Sequence, residues 1–154
     1  MPLHIVLYQP EIPANTGNIV RTCAATGTHL HLIHPLGFSV EDKYLKRAGL
    51  DYWHNVAITH YESYEDFLSK KGEGTMYFIE TNGTSFYTDP PYNDGDYFVF
   101  GKETTGIPAT ILEANHEQII RIPMVEGTRS LNLSNTAAIV LYEALRQTGF
   151  RGFI

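Results

Sequence analysis

The sequence predicts an α/β domain with a mostly parallel sheet that helices cover on both faces. Residues 3–8, 76–79 and 97–100 form short, almost wholly apolar runs, which is typical of strands buried on both sides. These runs alternate with segments whose apolar residues recur at helical spacing, as expected of strand–helix–strand units. The length of 154 residues is close to the ~150 residues of an average domain. We therefore expect a single domain over residues 1–154.

Turn and capping residues divide the first half of the chain into elements. Asn15, Thr16 and Gly17 offer caps for a helix that Gly27 would end. The run that begins at Ser63 resembles a capping box and predicts a helix through residue 71. The remaining expectations are strands at 3–8, 30–33, 56–59 and 76–79 and a polar helix over 42–48.

The second half continues the alternation. Asn82-Gly83 predicts a tight turn, and Pro108 suits the first turn of a short helix. A last long helix is expected from Ser134 to Gln147, with Gly149 as its stop. The predicted strands of this half occupy residues 97–100 and 119–122.

Composition excludes several classes of protein. One cysteine, Cys23, cannot build a disulfide framework or a four-cysteine zinc site. No apolar run approaches the ~20 residues of a membrane span, and the first residues do not resemble a signal peptide, so we expect a cytoplasmic protein. The net charge of −6 argues against a general nucleic-acid coat protein but leaves room for a local basic patch.

Three polar segments, each following a predicted strand, could carry chemistry, because ligands of such sheets bind beyond the carboxyl ends of the strands. Residues 15–21 could hold an anion at a helix start with Arg21 on a phosphate, or could be a well-capped helix with one surface arginine. Residues 100–106 place Glu103 beside Gly101, where a ligand could approach the backbone, or form a plain strand-to-helix turn. They lack the ending of a P-loop.

The third segment combines residues 122–124 with 129–135. Four neutral hydrogen-bonding side chains precede a helix here, either as ligand contacts or as caps only: Ser130, Asn132, Ser134 and Asn135.

Neither a metal site nor a hydrolase is expected. His29, His31 and His34 have no cysteine or carboxylate partners to complete a ligand set, Cys23 lies on an apolar helix face, and no G-x-S-x-G elbow occurs.

Taken together, the three segments resemble the three motifs of the SPOUT superfamily, in its SpoU (TrmH-like) RNA 2′-O-methyltransferase branch. The match reads N-T-G-N-I-V-R at 15–21, F-G-K-E-T-T-G at 100–106, and I-P-M at 122–124 with R-S-L-N-L-S-N at 129–135. It covers essentially the whole chain. The short length and the opening segment look most like minimal members that methylate the wobble cytidine or uridine of tRNA.

The resemblance implies a methyltransferase that binds S-adenosylmethionine in a C-terminal trefoil knot and works as a homodimer on tRNA, at the anticodon loop, with no metal. By motif position, the expected catalytic residues are Arg21, Glu103, Ser130 and Asn132, with Asn15 in support. Arg21, Lys102 and Arg129 are the expected RNA contacts. The expected cofactor contacts are Ile79, Thr81, Phe100, Gly101, Ile122, Met124, Ser130 and Leu131.

The role of Arg21 follows from its chemistry. A guanidinium stays charged in proteins, so we interpret Arg21 as a clamp on phosphate and developing alkoxide, and not as a proton acceptor. The family resemblance implies that the opposite subunit supplies it. The apolar faces of the first and last helices could be dimer surfaces or could belong to the core; they include Ile19, Val20, Leu141 and Leu145.

Three alternative functions stay open: another tRNA or rRNA nucleotide as the target, a non-catalytic nucleoside-binding module, and a flavodoxin-like nucleotide or phosphate binder.

Overall fold

Strands and α-helices alternate along the chain, as the sequence predicts. The computed structural model describes the backbone of residues 1–154 and the side chains of all residues except 49–51. The strands are β1 (His4–Tyr8), β2 (His29–Ile33), β3 (Ile58–Tyr61), β4 (Met76–Ile79), β5 (Ser85–Phe86), β6 (Tyr97–Phe100) and β7 (Ile119–Arg121). The helices are α1 (Pro13–Thr26), α2 (Lys43–Gly49), α3 (Tyr64–Lys70), α4 (Ala109–Ala114) and α5 (Leu133–Gln147), with 3-10 helices at Leu50–Asn55 and His116–Gln118.

The strands form one sheet in the order β3-β2-β1-β6-β4-β7-β5. Every pairing is parallel. Phe100, the last residue of β6, pairs with Leu7 of β1 on one side and with Ile79 of β4 on the other. Because parallel strands end at the same edge, the segments that follow β1, β4, β6 and β7 all meet there. The prediction of a parallel α/β sheet is confirmed.

Helices pack on both faces of the sheet. On one face α1 and α5 bury their apolar stripes, including Ile19, Val20, Leu141 and Leu145, which are at most 8% exposed. On the other face Phe67 of α3 is fully buried, and residues of α4 pack beside it. Burying such a side chain stabilises the fold by roughly 1.5–3 kcal/mol. The hypothesis that those four residues of α1 and α5 form dimer surfaces is wrong, because they belong to the core.

Helix α1 begins at Pro13, ahead of the residues predicted to cap it. Its N-cap residue Ile12 makes no side-chain cap bond, and Asn15 and Thr16 are buried inside the first turns. The prediction that these residues cap the helix is therefore wrong. A carboxylate from a distant segment, described below, accepts from the backbone at this helix start instead. The predicted end is confirmed, since Gly27 adopts the left-handed conformation with φ +66°.

Other boundaries differ by small shifts. Strand β3 starts at Ile58, later than predicted, and Asn132 caps α5 through a bond from the Ser134 N–H. Ser63 caps α3 as predicted by accepting from the Asp66 N–H. The short β5 was not predicted, because two residues are too few to show a period. Within the described chain, no helix has the length and apolarity needed to cross a bilayer.

Candidate active site

A cavity of about 650 Å³ lies at the carboxyl edge of the sheet, beyond β4, β6 and β7. It brings together the second and third polar segments, and Asn15 of the first segment also lines it. Gly101, Ile122 and Ser130 therefore share one cleft although they are far apart in sequence. The volume is within the ~300–1,000 Å³ range of small-molecule sites.

All eight residues predicted to contact a cofactor line this cavity. They are Ile79, Thr81, Phe100, Gly101, Ile122, Met124, Ser130 and Leu131. Asn15, Lys102, Glu103, Arg129 and Asn132 line it too. Leu131 is 42% exposed at the rim, so apolar surface faces the opening. The lining thus combines apolar walls with a few polar groups, which suits a ligand that has a flat aromatic part and polar substituents.

Glu103 ties the second segment to the start of α1. Its Oε1 accepts from the Glu11 backbone N–H at 3.0 Å, and its Oε2 accepts from the Ile12 N–H at 2.9 Å and from the Asn15 amide at 3.2 Å. A negative charge at a helix N-terminus is favourable. Both oxygens of Glu103 are thereby engaged in the fold. This geometry gives Glu103 a positioning role, because three donors already occupy the carboxylate.

Asn15 and Asn132 extend this chain of hydrogen bonds into the third segment. The Asn132 amide donates to the Asn15 side-chain oxygen at 3.0 Å. The Asn132 oxygen accepts from the Ser134 N–H at 2.9 Å and from its hydroxyl at 2.6 Å. Starting at Glu103, a continuous chain of hydrogen bonds therefore joins one loop to two helix starts.

The loop of residues 101–106 closes on itself. Lys102 and Gly106 exchange backbone hydrogen bonds of 3.3 and 2.9 Å. A Cβ at Gly101 would lie 2.2 Å from the Gly106 carbonyl carbon, so only glycine fits there. The sequence interpretation assigned Gly101 to close approach of a ligand; the structure shows that closure of the loop already requires it.

Glu80, which the sequence analysis missed, braces the same loop from β4. Its Oε1 accepts from the Ile107 backbone N–H at 2.6 Å and lies against Gly106, where a Cβ would come within 2.6 Å of the same oxygen. Burial raises the pKa of Glu80, while bonds from the backbone N–H groups of Ile107 and Thr81 lower it. Glu80 also lines the cavity. No motif flags a single carboxylate after a strand, so no sequence pattern predicts the role of Glu80.

Arg21 does not line the cavity. It lies exposed on α1, with its guanidinium carbon 5.1 Å from the centre of the Tyr52 ring, in the range of a cation–π contact. Within one chain, the structure therefore brings together Asn15, Glu103, Ser130 and Asn132, and leaves Arg21 apart from them.

The histidines and the cysteine take no part in the cavity. His31 bonds to His4 at 2.8 Å and to the Tyr61 hydroxyl at 2.8 Å, inside the core. Burial raises the pKa of the Cys23 thiol to about 12, which makes it a poor nucleophile. Among the residues whose side chains are described, no group of three or more metal-ligating side chains occurs.

Comparison with known proteins assigns the chain to a family. Residues 2–142 match the SpoU rRNA Methylase family. The chain belongs to the SpoU methylase family. The resemblance drawn from the three motifs is thereby confirmed, and the fold of this SpoU methylase agrees with it.

A named relative and a solved structure resemble this chain over nearly its full length. It is 52% identical to the tRNA (cytidine(34)-2′-O)-methyltransferase of Escherichia coli K12, covering 99% of this chain and 98% of that protein. A solved structure described as giving insights into the 2-OH methylation of C/U34 on tRNA is 43% identical, with a TM-score of 0.90 over 97% of both chains.

A more distant structure shows the fold alone. It is the SpoU methyltransferase AviRb from Streptomyces viridochromogenes in complex with the cofactor AdoMet. AviRb is 23% identical to this chain, with a TM-score of 0.83 over 96% of this chain and 60% of the other.

Proposed function

We propose that this SpoU methylase transfers a methyl group from S-adenosylmethionine to the ribose 2′-hydroxyl of the wobble nucleotide of tRNA, a cytidine or uridine at position 34. The observation that carries the proposal is the shared cavity, which the second and third family motifs line together with Asn15 of the first motif. The relatives named for the same reaction over nearly their full length support it. A cytoplasmic protein of one domain, residues 1–154, is consistent with this role.

The cavity fits the chemistry of S-adenosylmethionine. Ile79, Phe100, Ile122 and Leu131 offer apolar surface for a purine ring, and the strand-end backbone beside them offers directional hydrogen bonds. S-adenosylmethionine supplies an electrophilic methyl group on its sulfonium. The protein aligns the ribose 2′-oxygen with the methyl carbon and the sulfur, and it assists loss of the proton from the 2′-hydroxyl.

The polar rim provides the groups for this alignment. Ser130 and Asn132 lie where they could hydrogen-bond an incoming ribose hydroxyl, and Asn132 is itself held by Asn15. Lys102 and Arg129 line the same cavity and offer positive charge to the RNA backbone. Glu103 holds the start of α1 beside this rim, because its carboxylate accepts from the Glu11 and Ile12 N–H groups.

The site is completed in a homodimer. Arg21 is exposed and separate from the cavity of its own chain, as expected if it serves the cavity of a partner subunit. There its permanent charge would clamp phosphate and stabilise the developing alkoxide. Ile139 and Tyr142 of α5, which are 36% and 44% exposed, offer apolar surface for such a contact.

We propose that the C-terminal part forms the trefoil knot that the family resemblance implies. The strand order inserts β6 between β1 and β4. The turn after β4 then packs against β7 so closely that a Cβ at Gly83 would lie 2.7 Å from the Ile120 carbonyl carbon. This contact shows that the segment after β4 lies directly against β7, as a knotted crossing at this point requires.

Methyl transfer to defined RNA tests the function. Purified protein is incubated with methyl-labelled S-adenosylmethionine and either unmodified tRNA or the same tRNA with a 2′-deoxynucleotide at position 34. We expect label in the first RNA and none in the second. Equal labelling of both would place the target elsewhere. Binding of S-adenosylmethionine without transfer to any tRNA would favour the non-catalytic binding module.

A further inference from the structure

A second cavity, of about 330 Å³, lies between α2, the 3-10 helix that follows it, and β3. It is lined by Val40, Glu41, Leu45, Lys46, Trp53 and His60. His60 is near the carboxyl end of β3. This cavity therefore opens near the same sheet edge as the active-site cavity, toward the end of the sheet formed by β3 and β2.

The walls of this second cavity suit a flat heteroaromatic ring. Trp53 is half-buried and packs against the main core, so its indole is held in place while part of it lines the cavity. The His60 imidazole is fixed by a 2.7 Å hydrogen bond to the ring of His34. Leu45 supplies a buried apolar wall. Unpaired RNA bases stack on such aromatic side chains.

Three basic side chains lie in or beside the second cavity. Lys46 lines it and forms a 2.7 Å ion pair with Glu41, which lines it too, so these two charges offset each other there. Lys43 and Arg47 lie exposed on the same helix. Arg21, the proposed RNA contact, makes a cation–π contact with Tyr52, which precedes Trp53. In a chain of net charge −6, an aromatic cavity flanked by cations is complementary to a base with phosphates on either side.

We infer that the second cavity binds an unpaired nucleobase of the anticodon loop, other than the nucleotide that is methylated, by stacking on Trp53. The inference rests on the proposed function, because it requires a tRNA substrate. The cation–π contact of Arg21 with Tyr52, which directly precedes Trp53, favours RNA over a peptide or a lipid as the occupant, since one strand of RNA could contact both Arg21 and Trp53. This subsite selects one conformation of the anticodon loop of the tRNA and makes no contact with the ribose that is methylated.

Tryptophan fluorescence tests the stacking directly, because Trp53 is the only tryptophan in the chain. An anticodon stem-loop RNA is titrated into the protein while binding is followed separately by the anisotropy of a labelled stem-loop. We expect quenching of Trp53 that saturates with the same dissociation constant. A blunt RNA duplex of equal length serves as the control and should leave the fluorescence unchanged.

Substitutions separate stacking from charge. Trp53→Ala should weaken stem-loop binding about five- to hundredfold, and Trp53→Phe should restore most of it, since a phenyl ring still stacks. Arg47→Gln removes an exposed cation of α2 and should reduce the slope of log affinity against log salt concentration by about one. Phe86→Ala, on strand β5 at the other end of the sheet and 47% exposed, is the matched control and should bind normally.

Two results would overturn the inference: saturating stem-loop binding that leaves Trp53 fluorescence unchanged, or a folded Trp53→Ala protein that binds the stem-loop like the unsubstituted protein. Both are distinct from failure of the proposed function, which would show as absent methyl transfer by the unsubstituted protein. S-adenosylmethionine affinity, measured by calorimetry, should be the same in Trp53→Ala and the unsubstituted protein.

Discussion

The amide of Asn132 donates a 3.0 Å hydrogen bond to the side-chain oxygen of Asn15, across 117 positions of the chain. This bond joins the start of α5 to the start of α1. Because Asn15 in turn donates to Glu103 at 3.2 Å, three segments that are separate in sequence are held in one hydrogen-bonded unit at the rim of the active-site cavity. The network fixes the relative positions of the residues proposed to hold RNA and cofactor.

Breaking this bond should lower activity more than it lowers stability. Asn132→Ser keeps an oxygen that can cap α5 but removes the amide that reaches Asn15. We expect kcat/KM to fall by about tenfold or more, with unfolding free energy reduced by only ~1 kcal/mol. Steady-state methyl transfer and urea unfolding measure the two effects. Unchanged kcat/KM in this variant would show that the bond does not organise the site.

Replacing the Glu103 carboxylate tests whether it positions the fold or accepts a proton. Glu103→Gln removes the charge that faces the start of α1 and presents an N–H where two donors converge. We expect the free energy of unfolding to fall by ~2 kcal/mol, which lowers the melting temperature by about 5 °C, and methyl transfer to remain measurable. Glu113→Gln, exposed on α4, is the control. A variant with the normal melting temperature and no transfer would make Glu103 a proton acceptor.

Removing the Glu80 brace should affect cofactor binding first. Glu80→Ala leaves the Ile107 N–H without its acceptor and loosens the loop that carries Gly101 and Lys102. We expect the KM for S-adenosylmethionine to rise about tenfold while kcat changes little. Glu80→Gln retains a carbonyl acceptor and should restore most of the affinity. Calorimetry of cofactor binding provides a second readout, and normal affinity in Glu80→Ala would contradict this role.

Two histidines, the buried His31 and the half-buried His4, should make the protein less stable in mild acid. Burial, together with the nearby His29 charge, lowers the pKa of His4 to about 4, and burial beside His4 lowers the pKa of His31 to about 3. Unfolded histidines titrate near 6.5, so between about pH 4 and 6.5 the unfolded chain binds more protons than the folded one. Stability should therefore rise with pH across this window and level off above it.

Urea unfolding at pH 7.5 and pH 5 measures this effect. We expect His31 alone to lower the free energy of unfolding by about 1–2 kcal/mol at pH 5 relative to pH 7.5. The His31→Gln variant should show a smaller difference between the two pH values. His116→Gln, which changes an exposed residue, should keep the full difference. Equal pH dependence in both variants would mean that His31 is not held neutral by the fold.

Supply of Arg21 by the partner subunit can be tested by mixing defective chains. Arg21→Ala and Asn132→Ala should each be nearly inactive as homodimers. In mixed dimers one of the two sites contains both intact residues, so co-refolded mixtures should recover about a quarter of normal activity. No recovery, with mixed dimers verified by mass spectrometry, would place Arg21 in the site of its own chain.

Much of the fold could be predicted from the sequence because local patterns determine it. The wholly apolar runs at β1, β4 and β6 indicate strands buried on both faces, and Gly27 and Ser63 mark helix ends through their own backbone chemistry. The three motifs could likewise be assigned to one cleft, because parallel strands deliver their following loops to one edge.

Other features depend on partners that are distant in sequence. The sequence predicts that Asn15 caps α1. In the structure its side-chain amide instead donates to Glu103, 88 positions away. The stripe that includes Leu141 is compatible with core or with an interface, and only the packing of α1 beside α5 places it in the core. Glu80 carries no local signal, since its role comes from Ile107, 27 positions later.

Mapping of ribose methylation in tRNA from cells that lack this gene tests the central claim most directly. Nuclease digestion and mass spectrometry identify each 2′-O-methylated nucleotide before and after treatment with the purified protein and S-adenosylmethionine. The account predicts that cytidine or uridine 34 is unmethylated in some tRNAs of these cells and gains one ribose methyl group on treatment. Full methylation of position 34 without the gene, or methylation of a different nucleotide on treatment, would contradict it.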